Sequence, residues 1–477
     1  MQTIDYCPNR RQFLRDVTLL VSGVMCRSAS WAAPTGFPVV RVPEAARKFR
    51  SAAVERCIAR IKSSIGNKEL AWMFENCFPN TLDTTVDFSV SNGRPDTFMV
   101  TGDIHAMWLR DSTAQVWPYL QFMKEDPALQ QLIAGVINRQ TWCIRLDPYA
   151  NGFYKDTTTP SRWREDLTEM KPGVHERKWE IDSLCFPIRL AYGYWKASQD
   201  TTPFGADWRE SMALVLRTFR EQQRKKNRGP YRFQRRTPAA TDSLPGNGYG
   251  LPIKPVGLIC SMFRPSDDAT VFPFLIPSNF FAVVSLRQAA ELLQQTGAPT
   301  LAQGCRELAD EVAHALTQWA VVRRPHVGRV YAYEVDGLGN SYCMDDSSLP
   351  NLLMLPYLGA VKPGDAIYQN TRRLLLSAEN PYYFKGKAAE GPGGPHAGLD
   401  MVWPLGIIQR ALTSSDDHEI RTCLNTLQRT HADTGFMHEA FHKDDPKQFT
   451  RAWFAWANTA FGELILKVYQ KRPHLLD

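Results

Sequence analysis

None of the ten cysteines stands in a C-x-x-C pair, which argues against a zinc ribbon or a dithiol redox centre. Dense basic tracts are also missing. The one short run, Arg224-Lys225-Lys226-Asn227-Arg228, has the length of a solvated helix end, so no nucleic-acid partner is expected. The chain has no Gly-x-Ser-x-Gly nucleophile elbow and no phosphate cradle. The glycine-rich stretch Gly391-Pro392-Gly393-Gly394-Pro395-His396 contains prolines, which lack the N–H donors a cradle uses, so it reads as a rigid loop that aims His396. No cofactor is called for. The apolar run from Val17 to Met25 is too short to span a bilayer. There is no repeat of fixed period, which disfavours a solenoid, and no alternation of strand and helix of the kind that builds a parallel sheet.

What is present describes a globular protein. Of the 477 residues, 44% are apolar and 22% charged, enough for a sizeable core. Thirteen tryptophans are many for packing alone; stacking on sugar rings is one use for them, and the interior of a large domain is another. Net charge is +7, and the first 32 residues hold four arginines against two aspartates, so the remainder carries +5. Those first residues read as an address. Asn9-Arg10-Arg11-Gln12-Phe13-Leu14-Arg15, the apolar run after it and the small residues at Ser30-Trp31-Ala32-Ala33 fit a twin-arginine export signal over residues 1–33. A periplasmic or secreted protein, with no membrane association once mature, is expected. Eight cysteines lie beyond the signal, and buried free thiols are compatible with export in the folded state.

From Pro43 onward the apolar residues recur at threes and fours, first through Ala45, Phe49, Val54, Cys57, Ile58 and Ile61, the spacing of an amphipathic helix. Further helices are expected at Glu69–Phe78, Thr113–Lys124, Ala128–Ile144, Ser183–Ser198, Trp208–Gln223, Ser278–Gln295, Leu301–Val321, Leu349–Leu358, Ala366–Ser377, Asp400–Thr413, His418–His431 and Thr450–Tyr469. Short strands are expected at Thr97–Val100 and Arg329–Tyr333. A dozen or so helices joined by long Gly/Pro-rich connectors predict an all-α fold, an (α/α)6 barrel with short β-strand insertions in its loops, as one catalytic domain over residues 40–477. The chemistry of such a scaffold belongs in the loops at one end.

Four segments could carry it. Thr101–Ser112 holds Asp103, Trp108, Arg110 and Asp111, a combination suited to clamping a sugar through bidentate hydrogen bonds and ring stacking; Asp111 also suits the start of a helix. Asp182, in Trp179–Pro187, is either a helix cap or a substrate contact. In Phe263–Ala269, the adjacent Asp267 and Asp268 repel, which raises the pKa of one, and nearby Arg264 can hold the other ionised. Asp345 and Asp346 resemble a helix cap, and Asp416-Asp417 a solvated turn. In Thr434–Pro446 the string His438-Glu439-Ala440-Phe441-His442 spells the zinc-peptidase motif H-E-x-x-H. Gly435 just before it and Asp444-Asp445-Pro446 just after leave little room for the stable helix that motif needs. Glu439 on a loop, acting as a base toward water, is the better reading. Two carboxyl groups with separated pKa values, facing a sugar from opposite sides, are the machinery of glycoside hydrolysis.

Taken together these segments resemble glycoside hydrolase family 125, the metal-independent exo-α-mannosidases. The matching strings are Thr101–Ser112, Arg139-Gln140, Asp147–Asn151, Glu180–Pro187, Phe263–Ala269, Ile276–Asn279, Tyr331–Glu334, Gly386–Ala389, Gly435–Glu439 and Phe449–Asn458. They run in order from about residue 60 to the C-terminus. The resemblance implies inverting hydrolysis of terminal non-reducing α-1,6-linked mannose from an oligosaccharide or glycan, without metal. It implies Asp267 as general acid, held protonated, and Glu439 as general base. Asp103, Trp108, Arg110, Asp111, Asp182, Arg264, Asp268 and His396 fall in matching motifs as sugar-binding positions. His105 stands where the family pattern has proline. The rival readings from other classes are a zinc metallopeptidase built on His438, Glu439 and His442, and a carbohydrate-binding protein without catalysis.

Overall fold

The computed structural model describes residues 36–477; the expected export segment over residues 1–33, with Cys7 and Cys26, lies outside the described residues. Packing divides the chain into Met1–Val39 and Val40–Asp477. Of the first unit only residues 36–39 are described, and all four are exposed.

The second unit is mostly helical, as the periodicity predicts. Among the described residues, thirteen α-helices have five residues or more: α1 (Ala52–Ser64), α2 (Lys68–Cys77), α3 (Asn80–Thr84), α4 (Leu109–Val116), α5 (Pro127–Leu146), α6 (Ile181–Ser198), α7 (Ala206–Gln222), α8 (Ile276–Gln295), α9 (Pro299–Trp319), α10 (Ala366–Leu375), α11 (Pro404–Leu412), α12 (Asp417–Arg429) and α13 (Ala455–Lys471). The helices begin in two ways. Ser51, Asn67, Asp126, Asp365 and Asp416 cap α1, α2, α5, α10 and α12 by accepting a backbone N–H from the first turn, which satisfies donors a helix start would leave open. By contrast α4, α6, α8, α11 and α13 follow Trp108, Glu180, Leu275, Trp403 and Phe454 with no side-chain cap. Three of those uncapped starts, at α4, α6 and α13, border the loops that carry the candidate site.

The uncapped helices pack against one another: α13 touches α4 and α11, α4 touches α6, and α6 touches α8. A second set covers them from outside, with α5 on α6, α9 on α8 and α12 on α11. The buried apolar side chains form one continuous core. Helices α4, α6, α11 and α13 meet residues 349–357 around a cavity of about 30 Å³, lined among others by Thr113, Phe186, Leu349, Ile408 and Trp456.

Some expected boundaries move. The helix expected at Thr113–Lys124 begins earlier as α4 and continues as a 3-10 stretch, Trp117–Glu125, from Pro118 onward, because proline cannot supply the N–H of an interior helical turn. The helix expected at Leu349–Leu358 does not form; the segment is turns. Here side chains capture the backbone first: Asp345 accepts the N–H groups of Leu352 and Leu353, and Asn351 that of Met354. Such bonds compete directly with a helical ladder. Asp345 and Asp346 are therefore buried organisers of a turn and not a helix cap.

Among the described residues, six small sheets of two or three strands bind the loops. Expected strands Thr97–Val100 and Arg329–Tyr333 overlap Arg94–Met99 and Gly328–Tyr331. Two sheets matter for function. β1 (Met107–Trp108), β2 (Gly152–Phe153) and β3 (Val174–Glu176) pair antiparallel, with Trp108 opposite Gly152. β4 (Met401–Val402), β5 (Phe441–His442) and β6 (Asp445–Phe449) form the second, with Phe441 opposite both Val402 and Phe449. All eight described cysteines are free and buried. No helix among the described residues is long and apolar enough to cross a membrane.

Candidate active site

Asp267 is at the tip of a tight loop. A bridge between Phe263 and Ala269 closes its base, and the N–H of Asp267 donates to the Arg264 carbonyl at 2.8 Å. The turn forces Asp267 to φ +66°, a left-handed conformation that costs a non-glycine residue roughly 1–3 kcal/mol. Outside contacts hold it there. Lys178 Nζ donates to the Asp267 carbonyl at 2.7 Å, and Asn151 Nδ2 donates to Oδ1 at 3.2 Å. The Asp267 side chain is 24% exposed.

Arg264, expected to hold one of the paired aspartates ionised, does something else. Its Nε donates to Glu334 Oε1 at 2.6 Å, while Glu334 Oε2 accepts the N–H groups of Val271 and Phe272. It braces the loop from behind. The cation facing Asp267 is Arg110, which enters from the first turn of α4. Arg110 Nη1 donates to Glu180 Oε2 at 2.6 Å and Asp182 Oδ2 at 3.1 Å, Nη2 donates to Asp267 Oδ1 at 3.4 Å, and Nε lies 3.6 Å from Asp111 Oδ2. Asp111 and Asp182 are in the first turns of their helices, as expected of capping acids, but they are buried and directed at Arg110.

Four carboxyl groups around one guanidinium cannot all be ionised in a dry site. Burial lifts Asp111 and Asp182 to about 6 against the pull of Arg110. Burial drives Glu180 far up, Arg110 opposes it, and the neighbouring Asp267 carboxylate adds to the rise. Asp267 goes the other way: burial raises it, but Arg110 and Lys178 together hold it well below the usual carboxylate range. These surroundings favour the ionised form of Asp267 and the neutral form of Glu180.

Asp268 and Asp267 do not form a repelling pair. Asp268 turns to His396, with Oδ1 3.7 Å from Nδ1. Burial alone would depress this imidazole, but Asp268, with Glu439 and Asp267 behind it, raises it to about 9. His396 thus feels both candidate catalytic carboxylates. The stretch that aims it, between β-paired Glu390–Pro392 and β4, is the proline-rich loop noted in the sequence.

Glu439 lies between α12 and β5. Gly435 enters this stretch at φ +73°, and a Cβ there would fall 2.8 Å from both Trp72 and Asn76. Asn458 of α13 accepts the Met437 N–H at 2.7 Å and fixes the next residues. The Glu439 carboxylate accepts from Thr450 Oγ1 at 3.0 Å and Arg451 Nη1 at 3.4 Å, leaving 16% exposed. Arg451 also binds Asp103 at the rim, where Asp103 is 59% exposed, and it lies within the field of Asp111. Asp267 and Asp111 thus share Arg110, Glu439 pairs with Arg451, and the fields of Asp111 on Arg451 and of Asp267 and Glu439 on His396 relate the two groups.

The H-E-x-x-H string is not helical. His442 is in strand β5 and accepts the Asp444 N–H on Nδ1 at 3.2 Å. His438 donates from Nδ1 to the Arg451 carbonyl at 2.9 Å and stacks on Phe449 with ring centres 4.0 Å apart. The two imidazoles lack the shared helical face that a zincin requires. Among the described residues no group of three or more His, Cys, Asp or Glu side chains could hold a metal ion.

Trp108, a candidate for stacking on sugar, is 7% exposed. It is wedged edge-on against His175 and close to Gly152, so its indole N–H, which has no protein partner, is what it can offer. Arg110 Nε, Asp182 Oδ1, Asp268 Oδ2 and Arg451 Nε are likewise buried without partners. Native proteins rarely leave such atoms unpaired, and this concentration around one gap suits a ligand rich in hydroxyls. The residue-by-residue reading missed Glu180, Asn151, Lys178, Thr450 and Arg451. All except Lys178 lie inside strings that match the family pattern, but none has a type or spacing that announces a role on its own.

The family model for metal-independent α-mannosidase (GH125) matches residues 67–466. A Schizosaccharomyces pombe protein, the meiotically up-regulated gene 157 protein, is 40% identical over 461 residues, 93% of this chain and 91% of its own length. A Streptococcus pneumoniae metal-independent α-mannosidase, solved in a non-productive complex with α-1,6-mannobiose, is 39% identical with a TM-score of 0.86, covering 89% of this chain and 100% of that one. A bacterial glucoamylase bound to acarbose shares the fold at 12% identity and a TM-score of 0.53, over 87% of this chain and 59% of its own.

Proposed function

This chain belongs to the GH125 family of metal-independent α-mannosidases, and from that premise we propose that it is an inverting exo-α-mannosidase releasing terminal non-reducing α-1,6-linked mannose. The observation that carries the reading is that Asp267 is held on Arg110 beside Asp111 and Glu439 on Arg451, with the charges of Asp111 and His396 coupling the two groups. The mannobiose held by the Streptococcus pneumoniae relative supports the substrate class. The two sets of helices are read as the inner and outer layers of an (α/α)6 barrel, the inner position between α8 and α11 being taken by the turns at residues 349–358.

In this reading Asp267 delivers a proton to the glycosidic oxygen as the bond to the anomeric carbon breaks. Glu439, its oxygens aligned by Thr450 and Arg451, takes a proton from the water that attacks the opposite face. Arg110, Asp111, Asp182, Asp268, His396 and Trp108 bind and orient the mannose hydroxyls, with Asp103 at the rim. Arg264 supports the Asp267 loop. Ring distortion toward the oxocarbenium-like transition state draws on contacts that tighten there. No step needs a metal. Residues 1–33 would export the enzyme to the periplasm or beyond, where its partner is a mannoside oligosaccharide or glycan; cell fractionation of the full chain against an Arg10→Lys/Arg11→Lys variant tests this, and an unchanged distribution would refute it.

The direct test is turnover of α-1,6-mannobiose by Asp267→Asn and Glu439→Gln. Each is expected to lose about 10²-fold or more in kcat while remaining folded. Near-native activity in either would overturn the assignment.

A further inference from the structure

We infer that Asp346 is a positioning residue for the reaction: from the turn at residues 345–351 it fixes the loop that carries Asp267 to the loop that carries His396, and so sets the aim of the Asp267 carboxyl. This role rests on the function proposed above for Asp267.

Asp346 is buried, and its carboxylate accepts three hydrogen bonds. Oδ2 accepts Ser266 Oγ at 3.0 Å and Tyr333 OH at 3.1 Å, and Oδ1 accepts the Ser348 N–H at 2.9 Å. Ser266 directly precedes Asp267 and is itself buried. Asp346 therefore takes hold of the Asp267 loop from eighty positions away in the chain.

The same turn grips the other loop. Ser347 Oγ donates to the carbonyls of Pro392 and Gly393 at 2.9 and 3.3 Å. A Cβ on Gly394 would lie 3.2 Å from the Asp346 Cβ, so the backbone two residues before His396 runs directly against Asp346. The turn has its own anchor: Asn351 Nδ2 donates to the Asp346 carbonyl at 2.8 Å, and Gln409 Nε2 of α11 donates to the Ser347 carbonyl at 2.7 Å. From the second loop, His396 Nδ1 returns to the first, 3.7 Å from Asp268 Oδ1.

These contacts close a ring. It runs from Ser266 to Asp346, from Ser347 to Pro392 and Gly393, and from His396 to Asp268. Asp267 is the residue between the two points where the ring meets its loop. That placement matters because Asp267 holds φ +66°, a conformation that persists only where the surroundings impose it. Lys178 and Asn151 hold Asp267 itself; Asp346 and His396 hold its neighbours on either side. Pinning both neighbours limits how far the carboxyl can turn away from the leaving oxygen. Supporting bonds of this kind keep a catalytic group within the fraction of an ångström that its step requires.

Asp346→Ala is the broader cut, but it also strips Tyr333 and Ser348 of their acceptor and can lose the fold, so Ser266→Ala carries the test. It removes the tie between the Asp267 loop and Asp346 and leaves the other two bonds to Asp346 in place. Ser266→Ala and Asp267→Asn are compared on two substrates: α-1,6-mannobiose, whose leaving group must be protonated, and 2,4-dinitrophenyl α-mannoside, whose leaving group need not be. Ser266→Ala is expected to lower kcat on mannobiose about tenfold, with KM on mannobiose and kcat on the dinitrophenyl substrate each within about threefold of wild type. Asp267→Asn should show the same selectivity with a larger loss. A turn that only stabilised the fold would not distinguish the two leaving groups. If Asp267→Asn is selective while Ser266→Ala loses both substrates equally, or loses neither, the positioning role is overturned and the assignment of Asp267 stands. If Asp267→Asn keeps full activity on mannobiose, that assignment falls, and the role of Asp346 with it.

Discussion

Replacing Arg110 by methionine removes the cation that faces Glu180, Asp182, Asp267 and Asp111 together. Methionine keeps the apolar stem but lacks the guanidinium head, so the loss is of the charge and the hydrogen bonds from Nη1 and Nη2. Breaking a buried ion pair from one side costs about 3–5 kcal/mol, because the partner is left charged and unpaired. Here several carboxyls lose the same partner, and the upper end of that range is expected at pH 7. The pH dependence separates this cause from simple loss of packing. Arg110 opposes the rise of these carboxyls in the wild type, so without it the folded variant binds more protons than the folded wild type and gains more stability as pH falls. Urea unfolding of both proteins at pH 7.5 and 5 should therefore show a gap that narrows on acidification. The narrowing should be about 1–2 kcal/mol if one carboxyl takes up its proton roughly one pH unit higher in the folded variant than in the folded wild type. A gap that stays constant or widens at pH 5 would show that the four-carboxyl account is wrong.

Other expectations follow from the same geometry. His396→Gln should destabilise most in acid. The imidazole is raised from 6.5 to about 9 when folded, so its contribution is complete below pH ~6.5 and disappears as pH rises through about 9, amounting to about 1–3 kcal/mol; the lower part of that range is favoured because the 3.7 Å contact to Asp268 is an ion pair longer than a hydrogen bond. Equal destabilisation at pH 6 and above pH 9 would contradict this. Arg451→Met should weaken both the hold on Glu439 and the tie to Asp103, lowering kcat about tenfold or more, whereas Asp103→Asn, at the exposed rim, should act mainly on KM; steady-state kinetics separates the two. Burial raises the thiols of Cys260 and Cys305 to about 12, so peptide-level mass spectrometry after thiol labelling should find both unmodified in the native enzyme and modified after unfolding.

Much of this architecture could be read from the chain because helices with one apolar face announce themselves at a spacing of three and four. The places where that reading failed share a cause. At residues 349–358 the apolar pattern is helical, but Asp345 and Asn351 take the backbone N–H groups, and nothing in the spacing reveals a bond formed over seven or eight residues. The strands around Trp108 and Phe441 are two residues long, too short for an alternation to register. At the site, Asp267 and Glu439 stand out because each is an acid in a loop marked by proline or glycine. Glu180 does not, although it is one residue from a helix start: its place in the site depends on Arg110, seventy positions away. Proximity in sequence pairs Arg264 with its neighbouring aspartates, but its partner is Glu334, an equal distance along the chain. The zinc motif shows the converse error. Five residues match a pattern whose chemistry needs a helix, and the chain turns them into an irregular stretch and a strand.

The central claim is that Asp267 and Glu439 act from opposite sides of one sugar, with water entering between them and no metal taking part. Proton NMR of α-1,6-mannobiose hydrolysis in the presence of EDTA, recorded before the product mutarotates, addresses it in one measurement. The account predicts undiminished turnover with β-mannose appearing first. If α-mannose appears first, or if EDTA abolishes the reaction, the account is contradicted.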